Sequence, residues 1–323
     1  MAKPKIFIDG REGTTGLQIY DKLISRDNIE LLLIDEDKRK DISERKKLLN
    51  EADLVFLCLP DEAAKESVSL IDKNSKTRVI DASTAHRTDE NWVYGLPELS
   101  KTQLDKIKHS RFVANPGCHA TGIIASVYPL ITLGIMPKDY PLSIFSLTGY
   151  SGGGKAMIHA YTEEKLPEMY APRIYGLNLE HKHIPEIMHI TDLTNPPIFC
   201  PIVDDYYSGM ATTAMLHTRL LNMGKGFTSS AVEASLNPAM FIHKILTDYY
   251  QERHAERPHK IAVAAELGTG MLSANQVVNS DDMIITVSGN DDLIIITAQF
   301  DNLGKGASGA AIQNMEIMLG IEN

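Results

Sequence analysis

The sequence predicts an α/β protein: a domain built on a parallel sheet, followed by a second α+β domain with a mixed or antiparallel sheet. Three observations predict it. Short aliphatic runs alternate with helix-spaced segments through the first third of the chain, as when buried strands are joined by crossover helices. Three glycines, Gly10, Gly13 and Gly16, follow the first such run directly. Late strand-like runs flank Gly289, Asn290, Asp291 and Asp292, a hairpin-like connection. With 323 residues the chain has room for two domains.

Residues 5–9 read as a buried first strand, and Leu17, Tyr20 and Leu23 or Ile24 mark the helix after it. A second strand over residues 29–34 places Asp35 at its end, and Lys38, Arg39 and Lys40 open a polar, mostly helical segment. Residues 53–59 form a third strand stopped by Pro60, and 61–70 a helix. A fourth strand over 78–81 leads into a loop at 83–88. Short strands follow at 92–96 and 111–114; Asn115, Pro116, Gly117 and Cys118 end the second. Residues 121–130 read as an apolar helix stopped near Gly134 and Pro137, and 143–150 as a strand. The loop of Ser151, Gly152, Gly153, Gly154 and Lys155 can turn almost any way. The stretch 198–216 reads as one strand with its turn, 229–250 as a helix with a polar tail, and 261–263, 283–288 and 293–299 as strands. A final helix spans 305–319, with Ala307, Gly309, Ala310 and Ala311 permitting close packing. The expected division is residues 1–117 as a dinucleotide-binding domain and 118–300 as a catalytic and oligomerisation domain. Residues 301–323 are expected as a helix returning to the first domain.

The formal net charge is −10, from 42 acidic and 32 basic residues. That sign disfavours nucleic acid as a partner but leaves room for a local basic pocket. No apolar run reaches eighteen residues and no leader precedes the first strand, so neither a membrane span nor export is expected. Cys58, Cys118 and Cys200 form no CxxC pair, which points to reduced thiols and the cytoplasm.

The glycine spacing GxxGxxG, between strand and helix, suits a Rossmann-type pyrophosphate site. It gives a tight turn, room for backbone approach, and a helix N-terminus facing negative charge. Thr14 and Thr15 add hydroxyl donors. Asp35 would accept from the ribose 2′-hydroxyl of NAD, whereas Lys38 and Arg39 would hold the 2′-phosphate of NADP or form a solvated helix face.

Cys118 lies where a strand meets an apolar helix, among polar and glycine-rich neighbours. The helix field and first-turn amides stabilise a thiolate there, and the thiolate can attack an activated acyl carbon. Asn115 can assist with its side-chain amide. Cys58, inside an aliphatic run, reads as core. His181 and His183 share one face of an extended segment and supply a partner acid or base. A metal reading of that pair lacks a third ligand.

The chain resembles the N-acetyl-gamma-glutamyl-phosphate reductases in their shorter, type 2 bacterial form. The matching stretches are residues 10–16, 94–98, 115–122, 148–155, 181–186 and 301–310 with 313–315, in the family's order. The resemblance implies reduction of N-acetyl-glutamyl 5-phosphate to N-acetyl-glutamate 5-semialdehyde in arginine biosynthesis, with NADPH as hydride donor and inorganic phosphate released. It places the nucleophile on Cys118 and the acid/base on His181 or His183, His181 being preferred, with His119 ranked third. That double role asks for an imidazole pKa near neutrality. The candidate cofactor residues are Gly10, Gly13, Thr14, Thr15, Gly16, Lys38, Arg39, Ser83 and Asn302. Candidate substrate anchors are Asn115, Arg87, Ser151, Lys155, Arg173 and Lys182. The resemblance also implies a homotetramer or homodimer. Alternatives are an aspartate-semialdehyde dehydrogenase, an aminoadipyl-phosphate reductase and, in a different class, a catalytically silent dinucleotide-binding protein.

Overall fold

The computed structural model describes residues 2–223, 237–254 and 261–321. The chain divides into two compact units: Met1–Gly117 with Ala307–Asn323, and Cys118–Gly306.

The first unit runs β1 (Lys5–Asp9), α1 (Thr14–Leu23), β2 (Glu30–Leu32), α2 (Ile42–Glu51), β3 (Leu54–Leu57), α3 (Asp61–Leu70), β4 (Arg78–Asp81), β5 (Val93–Tyr94), α4 (Lys101–His109) and β6 (Phe112–Ala114). The last helix, α9 (Gly309–Leu319), belongs to this unit. Its strands form a parallel sheet in the order β2-β1-β3-β4-β6-β5. All four residues of β3 are buried, as a strand covered on both faces requires. Alternation along the strands sends Ile6, Ile8, Phe56 and Ile80 to a layer with Ile19, Leu23, Ala311 and Met315. Phe7, Val55, Leu57 and Val79 go to the opposite layer with Leu48, Leu49 and Ala64. Asp41 starts α2 by accepting from the amides of Ser43 and Glu44 (2.8 and 3.1 Å), and Ser100 starts α4 by accepting from that of Gln103 (2.9 Å). A buried Arg26–Glu316 pair at 2.8 Å ties α9 down.

Two sequence expectations change here. The second strand stops at Leu32, because the chain turns outward and Leu33 is exposed. Asp35 therefore does not end a strand; it precedes a one-turn 3₁₀ helix at Glu36–Lys38. The final helix is regular only from Gly309, after a wider π turn at Gly304–Ser308.

The second unit runs α5 (Cys118–Thr132), β7 (Ser143–Gly149), α6 (Gly154–Thr162), β8 (Arg173–Ile174), α7 (His183–Thr191), β9 (Ile198–Asp204), β10 (Met210–His217), α8 (Pro238–His254), β11 (Ile261–Val263), β12 (Met283–Gly289) and β13 (Leu293–Phe300). Its mixed sheet has the order β11-β12-β13-β10-β7-β9-β8. The stretch 198–216 is not one strand and a turn. It is β9 and β10, each paired with β7, β9 parallel and β10 antiparallel. Of the helix expected over 229–250, residues 229–236 lie outside the described residues. Ile144, Ser146, Ala214, Ile294, Ile296 and Phe199 form the buried face of the sheet. Helix α5 packs on β10 and β13 through Gly122, where a Cβ would sit 2.6 Å from the Phe300 ring. The Tyr250 hydroxyl donates to the Ala125 carbonyl at 2.6 Å, linking α8 to α5. None of the described helices is long and apolar enough to cross a membrane.

Candidate active site

In the first unit, the glycine loop is fixed by its own backbone. Gly10 has φ +87°, and a Cβ there would press into the Cys58 carbonyl. A Cβ on Gly16 would lie 2.5 Å from the Gly10 carbonyl oxygen. Gly13 donates to that oxygen at 3.1 Å, and its own Cβ would meet nothing closer than 3.5 Å. Inside the loop the Thr14 hydroxyl is buried with no hydrogen-bond partner. Thr15 is the next residue of α1.

Beside the loop lies a cleft of about 490 Å³, bordered by Gly10, Arg11, Glu36, Arg39, Lys40 and Arg45. Arg45 reaches the buried Asp9 carboxylate at 3.0 Å and the Ser67 hydroxyl at 2.6 Å, which anchors α2 to the end of β1. Lys38 is not in the lining; it pairs with Asp35 at 3.0 Å on the exposed side of the turn. The structure thus joins the two residues expected to compete for the ribose, and leaves Arg39 and Lys40 at the cleft. An anionic dinucleotide fits these residues: a glycine cradle, an orphaned hydroxyl, and two cations at one wall.

The loop after β4 is internally braced. Asp81 accepts from the Ser83 hydroxyl at 2.7 Å and lies 2.6 Å from His86 Nδ1, while the His86 ring stacks on Trp92 at 4.1 Å. Serine and histidine both bond the carboxylate rather than each other, so this trio is a brace and not a nucleophile relay. Arg87 is buried and donates to the carbonyls of Asn115 (3.0 Å) and Ala82 (3.1 Å). Asn115 in turn donates to the Ala307 carbonyl at 3.0 Å and accepts from Asn314 at 3.3 Å. Ser83, Arg87 and Asn115 are therefore all held within the first unit.

In the second unit, Cys118 is the half-buried first residue of α5. A Cβ on Gly306 would lie 2.9 Å from its Cβ, so only glycine lets the π turn pass that close. Three histidine rings gather at the next residue, His119. The His119 ring centroid is 5.6 Å from those of His181 and His183, which are 4.8 Å apart, with Phe199 beneath at 5.3 Å from His119. His183 is buried at the start of α7. Hence the pair does not share the face of an extended segment, as its alternate spacing suggested; the helix turns the two rings edge to face. His181 is half-buried, and its Nδ1 accepts from the His183 backbone N–H at 3.2 Å. That bond assigns the proton of the neutral ring to Nε2. Burial, and secondly the Lys182 charge, push its pKa down to about 4 rather than leaving it near neutrality. Residues 118, 119, 175, 181, 183 and 199 come from four segments; sequence reasoning gave Tyr175 and Ser146 no role, and it saw Gly306 only as part of a matching stretch.

Ser151 is buried and receives a bond from the Asn302 amide at 3.0 Å; Asn302 accepts from the Gly209 N–H at 2.8 Å. Asn302 thus braces the loop of Ser151–Gly154. Lys155 stands exposed in the first turn of α6, and Lys182 is exposed beside His181. Arg173 donates to the Tyr161 hydroxyl at 2.9 Å and lies over its ring. Among the described residues, no group of three or more His, Cys, Asp or Glu side chains is arranged to hold a metal ion.

Two family profiles match the chain: "Semialdehyde dehydrogenase, NAD binding domain" over residues 13–107, and "Semialdehyde dehydrogenase, dimerisation domain" over 118–302. The chain is 44% identical to N-acetyl-gamma-glutamyl-phosphate reductase 2 of Nostoc sp., covering 99% of this chain and 98% of that one. It is 43% identical to the protein of the same name from Pseudomonas putida, with the same coverage. The fold is similar to aspartate semialdehyde dehydrogenase II from Vibrio cholerae, with a TM-score of 0.69 at 14% identity, covering 99% of both chains. It is also similar to the aspartate semialdehyde dehydrogenase with NADP from Candida albicans, with a TM-score of 0.65 at 13% identity, covering 99% of this chain and 100% of that one.

Proposed function

The chain belongs to the N-acetyl-gamma-glutamyl-phosphate reductase family, and on that premise we propose that it reduces N-acetyl-L-glutamyl 5-phosphate to N-acetyl-L-glutamate 5-semialdehyde and phosphate, through a Cys118 thioester. The reaction serves arginine biosynthesis, in the cytoplasm, where thiols stay reduced. The observation that carries this reading is Cys118 at the N-terminus of a 15-residue helix, next in sequence to His119, whose ring centroid lies 5.6 Å from that of His181, a histidine whose Nε2 holds the proton.

The Cys118 thiolate attacks the acyl carbon, and first-turn amides of α5 receive the developing oxyanion. Collapse expels phosphate, a leaving group that needs no protonation, and leaves the acyl group on sulfur. A bound NADPH supplies hydride to that carbon. His181 then steadies the resulting alkoxide through Nε2–H, and collapse frees the aldehyde and restores the thiolate. Lys155 and Lys182, both exposed, suit the substrate's phosphate and carboxylate, and Ser151 lines the same loop. Gly10, Gly13 and Gly16 with Thr14 and Thr15 receive the pyrophosphate, and Arg39 and Lys40 favour the 2′-phosphate of NADP.

A homo-oligomer completes the reading. Phe145, Leu147, Cys200, Ile202, Met215 and Ile295 lie in register on the sheet face away from α5, half-buried or exposed. A second copy of that face, as a dimer or a tetramer, would cover it.

The test is the reverse reaction. N-acetyl-glutamate semialdehyde, phosphate and NADP are supplied and NADPH formation is followed, with NAD and aspartate semialdehyde in parallel arms. Turnover with the acetylated aldehyde and NADP is expected. Preference for aspartate semialdehyde would refute the substrate, and silence with every aldehyde despite dinucleotide binding would refute the enzyme.

A further inference from the structure

His119, next to the nucleophile in the chain, is buried with both ring nitrogens engaged. Nδ1 lies 2.7 Å from the Ser146 hydroxyl and Nε2 lies 2.8 Å from the Tyr175 hydroxyl. Ser146 is fully buried on β7, and Tyr175 follows β8 directly. The three side chains form one chain of bonds from the core of the sheet, through the residue next to Cys118, to the Tyr175 hydroxyl. We propose that His119 is a positioning residue: it fixes the Tyr175 hydroxyl as a hydrogen-bond donor toward the Cys118 sulfur. This rests on Cys118 being the nucleophile.

A neutral imidazole carries one proton, so two arrangements are available. If Nε2 accepts from Tyr175, the phenol proton is spent and oxygen lone pairs face the sulfur, which a thiolate repels. If Nε2–H donates to the phenol oxygen, the Tyr175 proton is released toward the sulfur, and the Ser146 hydroxyl donates to Nδ1. Only the second satisfies a thiolate. His119 stays neutral, because burial, then the charges of His181 and Lys182, push its pKa down to about 3. A group so reluctant to take a proton is a poor base but a fixed donor. Burial first, and then the Cys118 charge, raise the Tyr175 pKa, which keeps its proton in place. The other titratable groups around the His119 ring are His181, His183 and Lys182.

The test is the pH profile of iodoacetamide alkylation, read by mass at the Cys118 peptide, in full-length protein without substrate or dinucleotide. Tyr175→Phe should raise the apparent thiol pKa by about one unit, since a bond to a charged acceptor is lost. His119→Phe should raise it by a similar amount. The double variant should shift no further, because one residue acts through the other. His119→Gln, whose amide can still donate to the phenol, should return the profile toward wild type. An unchanged profile in either single variant, or additive shifts in the double, would overturn the proposal. Should His119→Phe not fold, Tyr175→Phe and His119→Gln still decide. Since alkylation needs no substrate, a wrong acyl phosphate would show in the turnover assay and leave this result standing.

Discussion

The glycine loop of the first unit and the cysteine–histidine cluster of the second are built in opposite ways. The loop is made by seven consecutive residues, and backbone sterics alone set it: Gly10 takes a left-handed φ and Gly16 touches the Gly10 carbonyl. The cluster is assembled from α5, β7, the residue after β8, α7 and β9, and side-chain bonds set it. A local site is stiff because changing it strains the chain. An assembled site can lose its chemistry while its scaffold stands.

Four expectations would break or sharpen that contrast. The largest is chemical. Cys118→Ala should lower turnover by roughly 10⁴-fold or more, with thermal unfolding unchanged. The same activity loss accompanied by unfolding would erase the distinction. Gly10→Ala should do the converse, costing about 2 kcal/mol or more of stability by denaturant titration and weakening dinucleotide binding with it. Next, Arg39→Ser should raise the KM for NADPH by about 10- to 100-fold, as loss of a charge-assisted bond predicts, and leave the KM for NADH alone. Equal effects on both would remove Arg39 from the 2′-phosphate.

The last concerns acid stability. The folded pKa of His119 is about 3, below the ordinary histidine value, so between the two the unfolded chain binds a proton the folded chain refuses. Stability contributed by this group is therefore intact above pH ~6.5 and falls as the pH drops toward 3, by up to about 1.4 kcal/mol per pH unit. Urea midpoints between pH 4.5 and 6.5 read the slope, and His119→Phe should make it shallower, leaving the share that His181, also held near 4, contributes. A slope that stays equally steep in the variant would assign the acid sensitivity elsewhere.

The same contrast explains what the sequence revealed. The α/β class and the mixed second sheet were legible, because buried strands announce themselves as aliphatic runs and a hairpin by its turn. The end of β2 was not, since Leu33 and Ile34 are as apolar as the strand they leave. Helix α4 was missed because it is polar, with only Ile107 fully buried along it. Helix α7 was missed because Pro185 reads as a break; it sits in the first turn, where a backbone N–H has no helical partner to lose. Within the site, Cys118 stood out by its neighbours in sequence. Tyr175 and Ser146 lie 57 and 28 positions downstream by residue number. Nothing local distinguishes them from an ordinary tyrosine and strand serine. Gly306 carried a faint signal, as a glycine among small residues, but its reason is a cysteine 188 positions upstream.

The central claim is that the acyl group rides on Cys118. The most direct test mixes the protein with N-acetyl-glutamyl 5-phosphate in the absence of dinucleotide, quenches in acid, and weighs the intact protein and its peptides. The account predicts one N-acetyl-glutamyl group per chain, on the peptide containing Cys118, released as aldehyde when NADPH is added before the quench. An unmodified Cys118 in protein that oxidises NADPH at full rate with the same substrate would contradict it.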